Sequence, residues 1–190
     1  MNRLLTLAVT LLLVATAAGA KDYPSSFGFT FSAPDTWLVM TKTELAGNPV
    51  FATADAGLKT KVQNGALEIY YDRATSDATF TDYVDVWLGT KGVIPNTPDD
   101  VRAQCKQYAD KLAKDAGRPL AMAVCEDRTV GAAKTFYVEH DGRTADTVTM
   151  QYQFLRPDGK LLFVRARCKK SVLDKFRPDF EAIVKSVHFS

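Results

Sequence analysis

Residues 147–155 read Thr-Val-Thr-Met-Gln-Tyr-Gln-Phe-Leu, and the alternation along this stretch decides the fold. Apolar side chains occupy the even positions from Val148 to Phe154, and polar ones occupy the odd positions from Thr147 to Gln153. A period of two is typical of a β-strand whose two faces have different environments. We therefore expect a strand over 147–155 with one face in an apolar core.

Three more strands are predicted around this stretch, over about 120–126, 134–140 and 160–168. The links between the four strands are short and rich in turn residues: Val130-Gly131, Asp141-Gly142 and Pro157-Asp158-Gly159. Short links join only antiparallel neighbours, because a parallel pair needs a crossover of roughly a dozen residues or more. The second half of the chain is therefore predicted to form a four-stranded antiparallel meander.

The chain before the meander mixes strand and helix signals. Strands are predicted at four places: 27–32, 37–40, 51–53 and 67–71. The polar stretch 57–64 is predicted as a loop. An apolar stripe at helical spacing predicts a helix over 79–88, formed by Phe80, Tyr83, Val84, Trp87 and Leu88.

Two further helices have clearer ends. Thr97 is a typical N-cap with Pro98 at the first helical position, and Gly117 is a typical stop, so a helix is predicted over 97–117. A last helix is expected over about 171–185, followed by a short extended piece at 186–189. Strands, then helices, then a meander and a final helix indicate an α+β protein built on an antiparallel sheet.

Two short motifs, one at residues 27–37 and one at residues 180–189, resemble those of the PsbP-like (DcrB-like) family. Phe27-Gly28-Phe29-Thr30-Phe31, followed by Pro34 and Trp37, resembles the opening strand of the family. Phe180, Ile183-Val184, Ser186-Val187 and Phe189 are similar to its last helix and strand. The resemblance implies an α/β/α sandwich with a central antiparallel sheet, and a binding or accessory function. No functional residue of the family falls on a matched position.

The first twenty residues are predicted to be a secretory signal peptide. Arg3 supplies a basic start, residues 4–18 are apolar apart from three threonines, and Ala18-Gly19-Ala20 is a small-x-small cleavage site. The apolar run is shorter than the roughly 20 residues of a membrane-spanning helix, and no cysteine follows the site to carry a lipid. We expect a signal peptide at 1–20 and one globular domain at 21–190, periplasmic or secreted.

Composition narrows the classes of function. The chain has 190 residues and a net charge of +2, with 46% hydrophobic and 24% charged residues. These values exclude a disordered, collagen-like or coiled-coil chain. The small net charge also means that the protein lacks the strong positive field typical of nucleic-acid-binding proteins. No segment after residue 20 is long and apolar enough to be a membrane span.

Six basic residues near the C-terminus form the candidate binding site: Arg165, Arg167, Lys169, Lys170, Lys175 and Arg177. Arg165 and Arg167 project from the same face of their strand. One interpretation is an ordinary solvated sheet end. The other is a docking patch for an anionic envelope or extracellular partner, such as an acidic protein surface or lipid phosphates.

The three cysteines predict one disulfide and one leftover thiol, because an oxidising compartment favours pairing. Cys105 lies eleven residues before the helix end at 116, about 16 Å away at 1.5 Å per residue. Cys125 lies five residues into the next strand, also about 16 Å at 3.3 Å per residue. We therefore predict Cys105–Cys125 with Cys168 reduced. Three unpaired, buried thiols are the alternative.

No catalytic motif is present in the sequence: it has no phosphate loop, His-Glu-x-x-His, Gly-x-Ser-x-Gly or Cys-x-x-Cys. His140 and His188 are interpreted as solvated or turn-capping side chains, and no cofactor or metal site is predicted. A Cys–His dyad is not expected. The turn lengths place Cys168 opposite Val148, and Val148 opposite Val138 or His140, so the predicted strands separate His140 from Cys125 and Cys168 by about 10 Å or more.

The sequence therefore predicts a secreted or periplasmic, non-catalytic binding or accessory protein. Two alternatives stay open. One is a hydrolase or an enzyme inhibitor with its site on loop 42–64. The other is a carrier of a small apolar ligand, using the aromatic residues Phe27, Phe29, Tyr70, Tyr71 and Trp87.

Overall fold

The computed structural model describes residues 19–40, 56–72 and 82–190. The elements in chain order are β1 (Ala20–Ser25), β2 (Phe29–Pro34), β3 (Trp37–Val39), α1 (Ala56–Gln63), β4 (Glu68–Asp72), β5 (Tyr83–Lys91), α2 (Pro98–Ala116), β6 (Met122–Val130), β7 (Ala133–Asp141), β8 (Thr147–Leu155), β9 (Lys160–Lys169), a 3₁₀ turn (Lys170–Val172), α3 (Leu173–Lys185) and β10 (His188–Phe189). Residues 1–18 of the expected signal peptide and the expected strand 51–53 lie outside the described residues.

Two antiparallel sheets organise these elements. A large sheet has the strand order β3-β4-β5-β9-β8-β7-β6, and a small one has the order β1-β2-β10. The predicted meander is confirmed, since β6, β7, β8 and β9 are successive neighbours. β8 has the predicted bounds, and Val148 lies opposite Cys168 as the turn lengths indicate.

Helix α2 begins and ends as its sequence predicts. The Thr97 hydroxyl accepts a hydrogen bond from the Asp100 backbone N–H at 3.2 Å, which satisfies one of the unpaired amides of the first turn. Gly117 ends the helix in the left-handed region, at a φ of 68°.

The predicted helix over 79–88 is wrong, because residues 83–91 form strand β5. Its apolar residues fit a helical stripe, but Val84 and Val86 also alternate with Tyr83 and Asp85. β5 lies between β4 and β9, and its residues 83–86, which point alternately to the two faces of the sheet, are all buried. A strand buried on both faces has a nearly continuous apolar sequence, which conceals the period of two.

The predicted loop over 57–64 is also wrong, since residues 56–63 form α1. This helix has only a weak apolar face, and Val62 is its one buried residue. Val62 packs in a small cluster with Leu67, Ile69 and Tyr71 of the β4 region. Tertiary contact therefore stabilises a helix that its own sequence only weakly specifies.

The main core lies between one face of the large sheet, helix α3 and the small sheet. Alternate residues of β8 and β9, including Met150, Val164 and Ala166, pack there against Phe180 and Ile183 of α3. We call this the α3 face. Helices α1 and α2 lie over the opposite face, which we call the α2 face. Helices on both faces of a central antiparallel sheet make the predicted α/β/α sandwich.

The α2 face is much more polar than the α3 face. Thr149, Gln151 and Gln153 of β8 lie on it, and each is at least 95% buried. Helix α2, which covers part of this face, has no buried residue of its own. The structure contains the predicted disulfide, Cys105–Cys125, with a Cα–Cα distance of 5.9 Å. This bond ties α2 to edge strand β6, closer than the usual separation of about 10 Å between packed layers.

Candidate functional site

Strand register brings four polar side chains into one row on the α2 face. Arg167 of β9 lies between Tyr83 of β5 and Thr149 of β8, and Thr149 in turn lies opposite His140 of β7. Directly paired residues project from the same side of a sheet, and neighbouring strands are about 4.8 Å apart. These four residues therefore form a continuous row of groups that can donate hydrogen bonds.

A second row lies beside the first and anchors helix α2. It contains Asp85, Arg165, Gln151, Val138 and Cys125, which are paired across five strands. Cys125 is the residue bonded to Cys105 of α2. The disulfide thus holds α2 over the polar rows.

A cavity of about 90 Å³ lies where α2 passes over the first row and the β7–β8 connection. Tyr108 and Leu112 of α2 supply its apolar wall. The sheet and the β7–β8 connection supply the polar and basic residues of the opposite wall: His140, Arg143, Thr144, Thr147, Thr149, Arg165 and Arg167. Among the described residues, none that lines the cavity is acidic.

The guanidinium of Arg167 is only partly satisfied within the cavity wall. One terminal nitrogen donates a hydrogen bond to the Tyr83 hydroxyl at 3.0 Å. Its Nε is buried and has no hydrogen-bond partner among the described residues. A buried donor without an acceptor is costly, because its bond to water is lost without replacement.

Arg165, in contrast, is fully matched. Its Nε donates to Asp85 at 2.8 Å and a terminal nitrogen donates to the second carboxylate oxygen. Its guanidinium also stacks over the ring of Trp87, at 4.6 Å from the ring centre. Its charge is therefore balanced within the fold.

Of the two interpretations, solvated or turn-capping, the solvated one is wrong for His140, which is 5% exposed at this site. Its Nδ1 lies 2.6 Å from the Asp141 backbone carbonyl. A carbonyl only accepts, so Nδ1 carries the proton and Nε2 is the nitrogen that titrates. Burial, together with the positive charges of Arg167 and Arg165, lowers the pKa of His140 below its usual value.

The six basic residues singled out in the sequence do not form one surface. Only Arg165 and Arg167 line the cavity. The Lys169 backbone N–H donates to Asp82, and Lys170 pairs with Asp141 at 2.7 Å. Lys175 is exposed on α3.

Arg177 projects to the opposite side of the sheet from Arg167. It donates two hydrogen bonds of 2.7 Å to Glu139 on the α3 face. These bonds lower the pKa of the Glu139 carboxyl. The sequence could not show that Arg167 and Arg177 lie on opposite faces of the sheet. They do so because the chain turns after residue 172 and α3 packs over the α3 face.

Cys168 lies on the α3 face, across the sheet from His140. It is the unpaired cysteine and is fully buried. Burial raises the pKa of its thiol to about 12, so it remains a thiol at neutral pH. A Cys168–His140 dyad is therefore not formed.

Of the aromatic residues considered for an apolar carrier, three lie in the core, and Phe27 and Trp87 are partly buried against it. Phe29, Tyr70 and Tyr71 are each at least 98% buried within apolar clusters, and Trp87 stacks on Phe163 at 4.8 Å. Their sequence pattern is explained by burial.

A second, larger cavity of about 480 Å³ opens between residues 93–96 and the first half of α2. Its polar residues are amides such as Gln104 and Gln107, with Asp100 as the charged one. Asp100 already takes part in the N-cap of α2. This cavity therefore offers no cation to an anionic partner.

The described ranges contain neither a candidate metal site nor a candidate membrane-spanning helix. Residues 19–40, 56–72 and 82–190 contain no group of three His, Cys, Asp or Glu side chains placed to hold a metal ion. Within the same ranges no helix has the length and apolar character needed to cross a membrane.

Comparison with solved structures supports the architecture. The solution structure of cyanobacterial PsbP (CyanoP) from Synechocystis matches 93% of this chain and 96% of its own, with a TM-score of 0.58 and 13% identity. The chain has the PsbP-like fold. The Ran-binding protein Mog1p of Saccharomyces cerevisiae matches 91% of this chain and 96% of its own, with a TM-score of 0.48 and 9% identity.

Comparisons of the amino-acid sequence alone do not assign this chain to a family. No family model matches this chain, and no curated protein matches it. The likeness to PsbP therefore defines the fold, and any function must be argued from the cavity itself.

Proposed function

We propose that this chain is a secreted or periplasmic binding protein, without catalytic activity of its own, that engages an anionic partner through the cavity on the α2 face. The observation that carries the proposal is Arg167, which lines the cavity and whose guanidinium makes a hydrogen bond only to the Tyr83 hydroxyl among the described residues. An anion in the cavity would supply the counter-charge that this guanidinium lacks among those residues.

A non-catalytic role is supported by the state of the reactive groups. The carboxylate of Asp85 is held by Arg165, and Asp115 is paired with Lys111 at 2.8 Å. The Thr147 hydroxyl donates to the Thr144 carbonyl at 2.7 Å. None of these groups is arranged as a nucleophile with an adjacent base.

An extracytoplasmic location is supported by the disulfide and by the apolar N-terminal stretch. We propose cleavage after Ala20, which leaves residues 21–190 as the mature domain. Strand β1 begins at Ala20, and its pairing with β2 continues from Lys21 to Ser25. The cut therefore removes only the first pair of this ladder.

The test combines localisation with capture. The full chain is expressed with its own N-terminus, and the intact mass of the exported protein should correspond to a chain that starts at Lys21. Envelope fractions are then passed over the wild type, Arg167→Gln and the control Arg102→Gln. Arg102 is 72% exposed on α2, so its loss changes the net charge equally without touching the cavity.

We expect the same partners on the wild type and Arg102→Gln, and a sharp loss on Arg167→Gln. Equal capture by all three proteins would show that the cavity is not the binding site. An uncleaved product retained in the cytoplasm would contradict the location.

A further inference from the structure

The donors around the cavity converge from three elements. Arg167 and Thr149 come from neighbouring positions of β9 and β8, and Arg143 comes from the β7–β8 connection. Arg143 is 59% exposed and lies 3.4 Å from Asp115, which already pairs with Lys111. The Arg143 side chain is therefore weakly held and can move to contact a ligand, whereas the Arg167 side chain is fixed in the cavity wall.

The size of the cavity limits what can enter it. Its volume of about 90 Å³ is several times the ~10–15 Å³ that one water requires. It is well below the roughly 300–1,000 Å³ of pockets that bury a drug-sized ligand. One small polar group fits, while the remainder of a larger ligand has to stay outside.

Charge limits the chemistry of that group. Arginine guanidinium and threonine hydroxyl groups can donate hydrogen bonds to carboxylate and phosphate oxygens, and the part of the chain that the structure describes contributes no acidic residue to the lining. A cation would face Arg167 and Arg143 without a counter-charge, and an apolar group would leave the Arg167 donor unsatisfied.

We propose that this cavity is an oxyanion site, in which the Arg167 guanidinium, the Thr149 hydroxyl and Arg143 hold a single carboxylate or phosphate group at the end of a ligand. The inference rests on the proposed function, because it names the chemical class that the same cavity recognises. Tyr108 and Leu112 of α2 form the apolar side of the site and exclude water from one side of the group.

The two histidines provide a direct readout. The chain contains only His140 and His188. His140 lines the cavity, whereas His188 is exposed near the C-terminus. Imidazole proton signals of the untagged protein are followed by NMR during titration with sodium phosphate, sodium sulfate, sodium acetate and, at matched ionic strength, sodium chloride.

We expect saturable movement of the His140 signals at about 1 mM or below for at least one oxyanion, with His188 unchanged and chloride without effect. Saturation by acetate alone identifies a carboxylate group, and saturation by phosphate and sulfate alone identifies a tetrahedral one. Arg167→Gln should weaken binding at least tenfold, the effect of one lost charge-assisted hydrogen bond. Arg143→Gln, at an exposed position, should weaken it less, and Arg102→Gln should not change it.

Equal movement of both histidines, an equal response to chloride, or no saturation by about 50 mM of any oxyanion would overturn the oxyanion site. Those results leave the proposed function standing if capture of partners still depends on Arg167. Binding of phosphate without Arg167-dependent capture would support the oxyanion site and contradict the proposed function. Failure of one proposal can therefore be distinguished from failure of the other. Unchanged spectra for residues of the α3 face show that each variant is folded.

Discussion

The Arg165 guanidinium donates hydrogen bonds to both carboxylate oxygens of Asp85, and these two residues lie directly opposite each other on β9 and β5. The Asp85 side chain is fully buried, and that of Arg165 is 20% exposed. A carboxylate in such a place is tolerated only with a matched cation. Arg165 therefore stabilises the fold, whereas Arg167 lines the same cavity without a carboxylate partner among the described residues.

Replacing Asp85 by Asn should destabilise the protein strongly. The change keeps the shape but leaves the Arg165 charge without its counter-ion, and we expect a loss of about 2–4 kcal/mol in the free energy of unfolding. Urea denaturation followed by circular dichroism measures it. The control is Asp110→Asn, because Asp110 and Lys106 form an exposed helical pair with 67% and 78% exposure that contributes about 0.5 kcal/mol or less. Similar losses in both variants would contradict the prediction that the buried Asp85–Arg165 pair stabilises the protein more than an exposed ion pair does.

Asp85 also shows where prediction from sequence ends. The alternation of β9 placed Arg165 and Arg167 on one face, since that information is local. The partner of Arg165 lies 80 residues earlier, in a stretch whose apolar spacing fitted a helix. Which strand lies beside which is a tertiary property, and no local period reports it.

Register shows the same limit on a finer scale. The turn after β8 is tight, and the predicted pair Val148 and Cys168 is confirmed. The connection from β7 to β8 is longer and contains Asp146 at a φ of 60°. Its length did not fix the pairing, and Val148 lies opposite Asp141, not Val138 or His140. The observed register places His140 opposite Thr149, in the row that continues to Arg167, so the cavity could not be found from sequence.

The disulfide should be most important for helix α2. The cysteines are 20 residues apart, and the chain-entropy relation gives about 3 kcal/mol for closing such a loop. Because α2 buries no residue completely, the bond is its main attachment. In Cys105→Ala/Cys125→Ala, amides of α2 should exchange with solvent much faster, while those of β8 and β9 change little.

Hydrogen exchange measured by mass spectrometry tests this expectation, and the reduced wild type should reproduce the double variant. Oxyanion binding should weaken in parallel, since Tyr108 and Leu112 of α2 form one wall of the cavity. Unchanged protection of α2 would show that its side-chain packing, and not the disulfide, holds it in place.

Gly142 is required by its close approach to Thr147 across the β7–β8 connection. Its N–H donates to the Thr147 carbonyl at 2.8 Å, and an added Cβ would lie only 2.9 Å from the Thr147 Cβ. Gly142→Ala should therefore cost about 1–3 kcal/mol and disturb the cavity that both residues line. In a double-mutant cycle with Thr147→Gly, which removes the opposing side chain, adding Gly142→Ala should cost much less. Additive losses in thermal unfolding would exclude this clash as the cause.

His140 should make stability depend on pH near neutrality. Burial and the charges of Arg167 and Arg165 lower its pKa in the folded state, while burial raises the pKa of the facing Tyr108 and keeps its ionisation well above this range. The unfolded chain therefore binds a proton first, so stability should fall as pH decreases from about 7.5 through 6.5, by at most about 1.4 kcal/mol per pH unit. Urea midpoints at each pH measure the slope. His140→Gln should remove it, and added sulfate should stabilise the wild type more at low pH, because a protonated imidazole attracts the anion. A slope that persists in His140→Gln would assign it to another group.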